Sequence, residues 1–137
     1  MTDLLVRGGR LVDPAAGRDG NFDVALRDGA VAAVGERLSA DGAEVLDARG
    51  LLVFPGFIDL HAHLREPGQE YAETIASGTA AAAAGGFTAV CAMPNTDPVN
   101  DSRTVTAFVA SRALLAGGAR VYPIGAITRG RRGEELA

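Results

Sequence analysis

Lysine is absent from this 137-residue chain, and all 13 basic residues are arginine. That absence removes Schiff-base chemistry, a phosphate-binding lysine and a carbamylated-lysine metal bridge from what these residues can do. A ligand bridging two metals would have to be a carboxylate or come from outside the chain. Cysteine is almost absent too. Cys91 stands alone, so no internal disulfide can form, which fits a reducing cytoplasm. Its apolar neighbours favour a buried structural thiol over a nucleophile. No apolar run approaches the ~20 residues of a membrane span, and Met1-Thr2-Asp3 lacks the basic start and apolar core of a signal peptide. With a net charge of −4, a pI near 5.1 and no basic stripe, nucleic acid is excluded as the expected partner. A hydrophobic content of 47% with 22% charged residues suits a soluble globular protein, and the length suffices for a real core.

What is present has two rhythms. Up to about Val53, short strands alternate with turn dipeptides. Leu4-Leu5-Val6 and Arg10-Leu11-Val12 flank Gly8-Gly9, Phe22 to Leu26 and Ala30 to Val34 flank Asp28-Gly29, and a further strand passes through Glu44-Val45-Leu46. Asp-Gly between two apolar runs is a strong hairpin signal, so residues 1–53 read as a small antiparallel β unit. After Pro55-Gly56 the spacing changes. A strand over Phe57 to His63 leads into a helix from about Tyr71 to Ala84, stopped by Gly85-Gly86. A second strand over Phe87 to Met93 ends at Pro94-Asn95-Thr96, and a second helix starts at Asp101-Ser102 and ends at Gly117-Gly118. A third strand, Arg120 to Ile127, precedes a polar loop and a helix beginning at Glu134-Glu135-Leu136. Alternation of this kind implies parallel strands in an α/β fold. It fits a doubly wound sheet or the opening of a (β/α)₈ barrel; no Gly-X-Gly-X-X-Gly follows a strand, which weakens the dinucleotide-binding option.

Both histidines of the chain stand two residues apart, in Asp59-Leu60-His61-Ala62-His63-Leu64-Arg65. On a strand such side chains share a face, roughly 6.5–7 Å apart, and two imidazoles so placed can converge on one zinc. The pattern puts Asp59 and Arg65 on that chemical face and sends Leu60, Ala62 and Leu64 to the core. A bare His-X-His can equally be two ordinary histidines on a half-buried strand. The Pro-Gly before it, the Asp at i−2 and the Arg at i+2 favour metal. Asp59 reads as an orienter of a histidine rather than a ligand. Arg65 offers a guanidinium fork for a carboxylate, or else pairs with Glu66 or Glu70 on the surface. Asn95 is either a directional donor from the neighbouring strand end or a turn former. Asp97 and Asp101 read as loop and cap residues, and Arg129, Arg131 and Arg132 as a solvated basic loop.

Taken together, Pro55-Gly56-Phe57-Ile58-Asp59-Leu60-His61-Ala62-His63-Leu64-Arg65-Glu66-Pro67-Gly68 resembles the first metal motif of the amidohydrolase superfamily. Gly85-Gly86-Phe87-Thr88, Met93-Pro94-Asn95-Thr96, Pro123-Ile124-Gly125-Ala126-Ile127-Thr128 and Gly133-Glu134-Glu135-Leu136 narrow the resemblance to bacterial class I dihydroorotases. That resemblance implies a partial TIM-type (β/α)₈ barrel, its first three strands in residues 54–137, preceded by a small antiparallel β-sandwich unit in residues 1–53. It implies a zinc-dependent, reversible closure of N-carbamoyl-L-aspartate to L-dihydroorotate in pyrimidine biosynthesis. By matching position, His61 and His63 are implied metal ligands of a two-zinc centre, and His63, Arg65 and Asn95 are implied substrate contacts. The implied setting is a cytoplasmic homo-oligomer with aspartate transcarbamoylase as a candidate partner.

The bridging aspartate, two further histidines and the catalytic aspartate of that pattern are not in the sequence, so no catalytic residue is assigned here. The chain therefore reads as an inactive N-terminal portion, with the catalytic aspartate expected beyond Ala137. Two other readings stay open: a non-catalytic scaffold for aspartate transcarbamoylase, and another cyclic-amide hydrolase such as a dihydropyrimidinase, hydantoinase or allantoinase.

Overall fold

The computed structural model describes residues 3–137 and divides the chain into two compact units, one up to Pro55 and the other Gly56–Ala137.

The first unit is a five-stranded sheet. Its strands are β1 (Leu4–Asp13), β2 (Arg18–Arg27), β3 (Ala30–Gly35), β4 (Glu44–Asp47) and β5 (Leu52–Val53), in the order β3-β2-β1-β4 with β5 also on β1. Asp28 and Gly29 both take positive φ, 51° and 76°, the conformation a two-residue hairpin turn requires, and Arg27 faces Ala30 across it. The antiparallel reading holds for β1–β2 and β2–β3 but not throughout, because β4 and β5 pair with β1 in parallel. Gly8-Gly9 is no turn either. β1 runs straight through it with a register shift between Val6 and Gly9. Buried Asp23 explains the irregularity: its carboxylate accepts the backbone N–H groups of Gly8 at 2.8 Å and Leu38 at 3.0 Å.

In the second unit, β6 (Phe57–Ala62), β7 (Phe87–Ala92) and β8 (Arg120–Pro123) form a parallel sheet in that order. The helices α1 (Ile75–Ala84) and α2 (Arg103–Ala116) connect them, packing on each other and on β7 and β8 respectively. α1 starts later than predicted because Thr74 and Ser77 close a capping box, each side chain bonding the other's backbone N–H. Ser102 caps α2 as predicted, and left-handed Gly117 ends it. β8 stops at Pro123, short of the predicted Ile127. The predicted terminal helix is absent: a 3-10 turn at Arg129–Arg131 is followed by a bridge between Thr128 and Leu136. Arg129 N–H donates to the Glu135 carbonyl at 2.9 Å, which spends on strand-like pairing the groups a helix would need.

Leu64, Ile75, Val90, Ala92, Val105 and Val109 make the core of this unit. At about 1.5–3 kcal/mol for each large apolar side chain removed from water, they fix α1 and α2 against the sheet. The expected division of β6 into a chemical and a core face is corrected at one residue. Leu64 is buried and Ala62 packs on the core, but Leu60 is 73% exposed. Three steps along β6, from Asp59 to Ala62, match two along β7, from Val90 to Ala92. That bulge breaks the strict alternation on which the expectation rested. Among the described residues no helix is long and apolar enough to cross a membrane.

Candidate active site

Parallel strands bring their C-terminal ends to one rim, and the residues singled out in the sequence cluster there. His61 sits near the end of β6 and His63 just past it; Asn95 lies three residues beyond β7. Beyond the assigned strands the pairing continues through Met93 N–H to the Ala62 carbonyl, 2.9 Å. The loops are joined further out, where Asp97 N–H donates to the Pro67 carbonyl at 2.9 Å. Gly68, at φ +100°, makes this contact possible, since a Cβ there would run into the Asp97 carbonyl.

The imidazoles of His61 and His63 stand edge to face with ring centroids 5.1 Å apart and planes at 66°. Two rings each bonded through one nitrogen to a tetrahedral zinc at about 2.0–2.1 Å have centroids about 5 Å apart. Their spacing therefore fits two positions of a metal's ligand set. His63 Nδ1 is 2.7 Å from Asn95 Oδ1. An amide oxygen only accepts, so Nδ1 is the donor of this contact, and in the neutral imidazole Nε2 is the nitrogen left with a lone pair. Among the described residues no group of three or more His, Cys, Asp or Glu is placed to hold a metal.

Asp59 does not meet the role expected of it. Its Oδ1 accepts the backbone N–H of His61 at 2.9 Å, so it fixes the main chain at the bulge rather than an imidazole ring. Arg65 is half-buried in the left-handed region, at φ +59°. Its guanidinium makes a long hydrogen bond to Gln69 Oε1, 3.4 Å, rather than pairing with Glu66 or Glu70. Among the described residues its guanidinium has no carboxylate partner. Glu70 instead accepts the Gly68 N–H at 3.0 Å, which holds its carboxyl below the usual glutamate range. With Oδ1 of Asn95 taken by His63, its amide NH₂ remains to donate outward.

Two supports were not anticipated from the sequence. Glu66 is 4% exposed and bonded to both helices. Asn100, 2% exposed, donates to the Ile124 carbonyl at 2.9 Å and accepts from Thr106 Oγ1 at 2.7 Å, tying the loop after β7 to the one after β8. Neither carries a local signal, since burial of a Glu or Asn depends on elements distant in sequence. The arginine loop is also less simple than a solvated run. Arg131 lines a cleft of about 480 Å³ with Met93, Pro94 and Ile127, and Asp101 accepts the Gly130 N–H at 2.7 Å rather than capping α2.

A family described as dihydro-orotase-like matches residues 50–137. A dihydroorotase of Anaeromyxobacter dehalogenans (strain 2CP-C) is 63% identical over all of this chain, which covers 32% of that protein. One from Solibacter usitatus is 56% identical over 98% of the chain and 31% of its own length. The chain thus spans about a third of these curated relatives. Among solved structures, the L-hydantoinase of Arthrobacter aurescens superposes with a TM-score of 0.79 at 24% identity, over 93% of this chain and 28% of that one, a likeness of fold. A D-hydantoinase superposes with a TM-score of 0.70 at 29% identity, over 94% and 29%.

Proposed function

We propose a function from one fact of kinship: this chain belongs to the dihydro-orotase-like family. It supplies two metal ligands and a carboxylate clamp to a dihydroorotase, which closes N-carbamoyl-L-aspartate to L-dihydroorotate and reopens it. The observation that carries this is the His61–His63–Asn95 arrangement, with ring centroids 5.1 Å apart and His63 Nδ1 2.7 Å from Asn95 Oδ1. Such geometry suits one ion facing the Nε2 atom of His63, with zinc the expected cation. When bound, the cation polarises an amide or carboxyl oxygen and lowers the pKa of a water.

The chain's own residues do the rest of what is assigned here. Arg65 receives the carboxylate of the anionic substrate through its guanidinium, which has no carboxylate partner among the described residues, and the amide NH₂ of Asn95 adds a directional donor. Residues 54–137 are read as the first three strands of a (β/α)₈ barrel and residues 1–53 as part of a small β-sandwich unit. The setting is a cytoplasmic homo-oligomer that uses two zinc ions per complete subunit, with aspartate transcarbamoylase as a candidate partner.

A second reading, a hydantoin-type cyclic-amide hydrolase, draws on the likeness to the hydantoinases. A substrate comparison separates the two. A full-length protein carrying this chain is offered carbamoyl-aspartate, hydantoin and allantoin in parallel. The proposal expects turnover of carbamoyl-aspartate alone; hydantoin or allantoin opening without dihydroorotate formation would replace it with the second reading.

A further inference from the structure

Arg65 is held between two fixed points of different chemistry. On one side Leu64 is 6% exposed and packs into the core with Ile75, Val90 and Val109. On the other, Glu66 is buried, and a carboxylate out of water is tolerated only where its oxygens are bonded. Both are. Oε2 accepts the Ile75 N–H at 2.7 Å, in the first turn of α1, and Oε1 accepts Arg112 Nε at 2.7 Å, from α2. Each partner lies in a helix, so both carboxylate oxygens are bonded to the scaffold.

The backbone between these points is in an unfavourable region. Arg65 is a long-chain cation at φ +59°, a region that residues other than glycine seldom occupy. Released at Glu66, the segment has every reason to relax, and the guanidinium swings with it. The same segment carries the Arg65 carbonyl that accepts Gln69 N–H at 2.9 Å and the Pro67 carbonyl that accepts Asp97 N–H at 2.9 Å, so its position is passed on to the loop bearing Asn95.

We propose that Glu66, clamped by Arg112 and the first turn of α1, is a positioning residue that sets Arg65 for carboxylate recognition. The inference rests on the reading of Arg65 as the substrate's carboxylate clamp. It is tested with Glu66→Gln and Arg112→Met in a full-length protein carrying this chain. The first is isosteric and keeps an oxygen for Ile75, and the second removes the partner at a half-exposed position, so one folded variant is enough. Each is expected to raise the KM for carbamoyl-aspartate roughly tenfold, with kcat within about threefold and zinc content unchanged. Because the effect passes through Arg65, Glu66→Gln is expected to add nothing in an Arg65→Met background. An unchanged KM, or a penalty that adds in full to that of Arg65→Met, would overturn the proposal. Inactive wild-type protein would count against the functional reading alone. Amide exchange at Gln69 and Asp97 then decides the anchor: faster exchange in the variants supports it, and wild-type rates overturn it.

Discussion

His63 Nδ1 and Asn95 Oδ1, 32 residues apart in sequence, are joined at 2.7 Å. The bond does two things. It makes Nδ1 the donor, which in the neutral imidazole leaves the lone pair on Nε2, and it occupies Oδ1 of Asn95 so that its NH₂ is the group left over. On the proposed function, one hydrogen bond thereby links a metal ligand to a substrate contact.

Asn95→Ala is therefore expected to damage both. Loss of such an orienting partner costs 10–100-fold in metal affinity or activity, on the order of 1.4–2.7 kcal/mol. Competition against a chromophoric chelator reads the zinc affinity, and steady-state kinetics reads the KM. A variant with wild-type zinc affinity and a raised KM alone would mean that the His63 ring is held without Asn95.

Arg65→Lys keeps the charge but loses the planar fork. The expected result is a KM for carbamoyl-aspartate raised by roughly tenfold or more with kcat little changed, since a clamp on a non-reacting carboxylate binds ground state and transition state alike. Equal kinetics in Lys and Arg proteins would show that the guanidinium geometry is not used.

Ile75 is 0% exposed, stands at the head of α1 and gives its N–H to Glu66. Ile75→Ala leaves that hydrogen bond in place and removes core volume. It is expected to cost about 2–5 kcal/mol, read as a lower urea midpoint with an unchanged slope. A loss below about 0.5 kcal/mol would mean that the site is not part of a tightly packed core.

The 137-residue chain by itself has two histidines and no other placed metal ligand among its described residues. It is expected to show no ring closure above background. Among the described residues, β6 and β8 of the parallel sheet each pair on one side only, and open strand edges invite self-association. Sedimentation velocity is expected to find species larger than the monomer. A monodisperse monomer with chelator-sensitive turnover would contradict both expectations.

Much of this was legible in sequence because the signals are local. Asp28-Gly29 specifies its turn by backbone chemistry, Ser102 and Gly117 mark the limits of α2, and the parallel order β6-β7-β8 follows from alternation of element types. The His-X-His motif stood out through its spacing together with Pro55-Gly56, Asp59 and Arg65 around it. What escaped prediction depends on groups far apart in the chain. The bulge that exposes Leu60 is set by the register against β7, and the straight passage of β1 through Gly8-Gly9 is set by the carboxylate of Asp23. Glu66 reads locally as an exposed acid beside a proline, and only Arg112, 46 residues on, makes it a buried anchor. Asp59 shows the reverse error: its spacing suggested a partner for an imidazole, while the bulge turned it to the His61 backbone.

The central claim is that His61 and His63 grip one catalytic cation. Its most direct test is a zinc titration of full-length proteins carrying this chain, metal-stripped beforehand, with dihydroorotate formation from carbamoyl-aspartate followed at each zinc addition. Wild-type protein should regain ring closure as zinc is added, while His61→Ala and His63→Ala should bind less zinc and stay at least 100-fold slower throughout. Ring closure at wild-type rate in either variant, or in metal-stripped wild-type protein, would contradict the account.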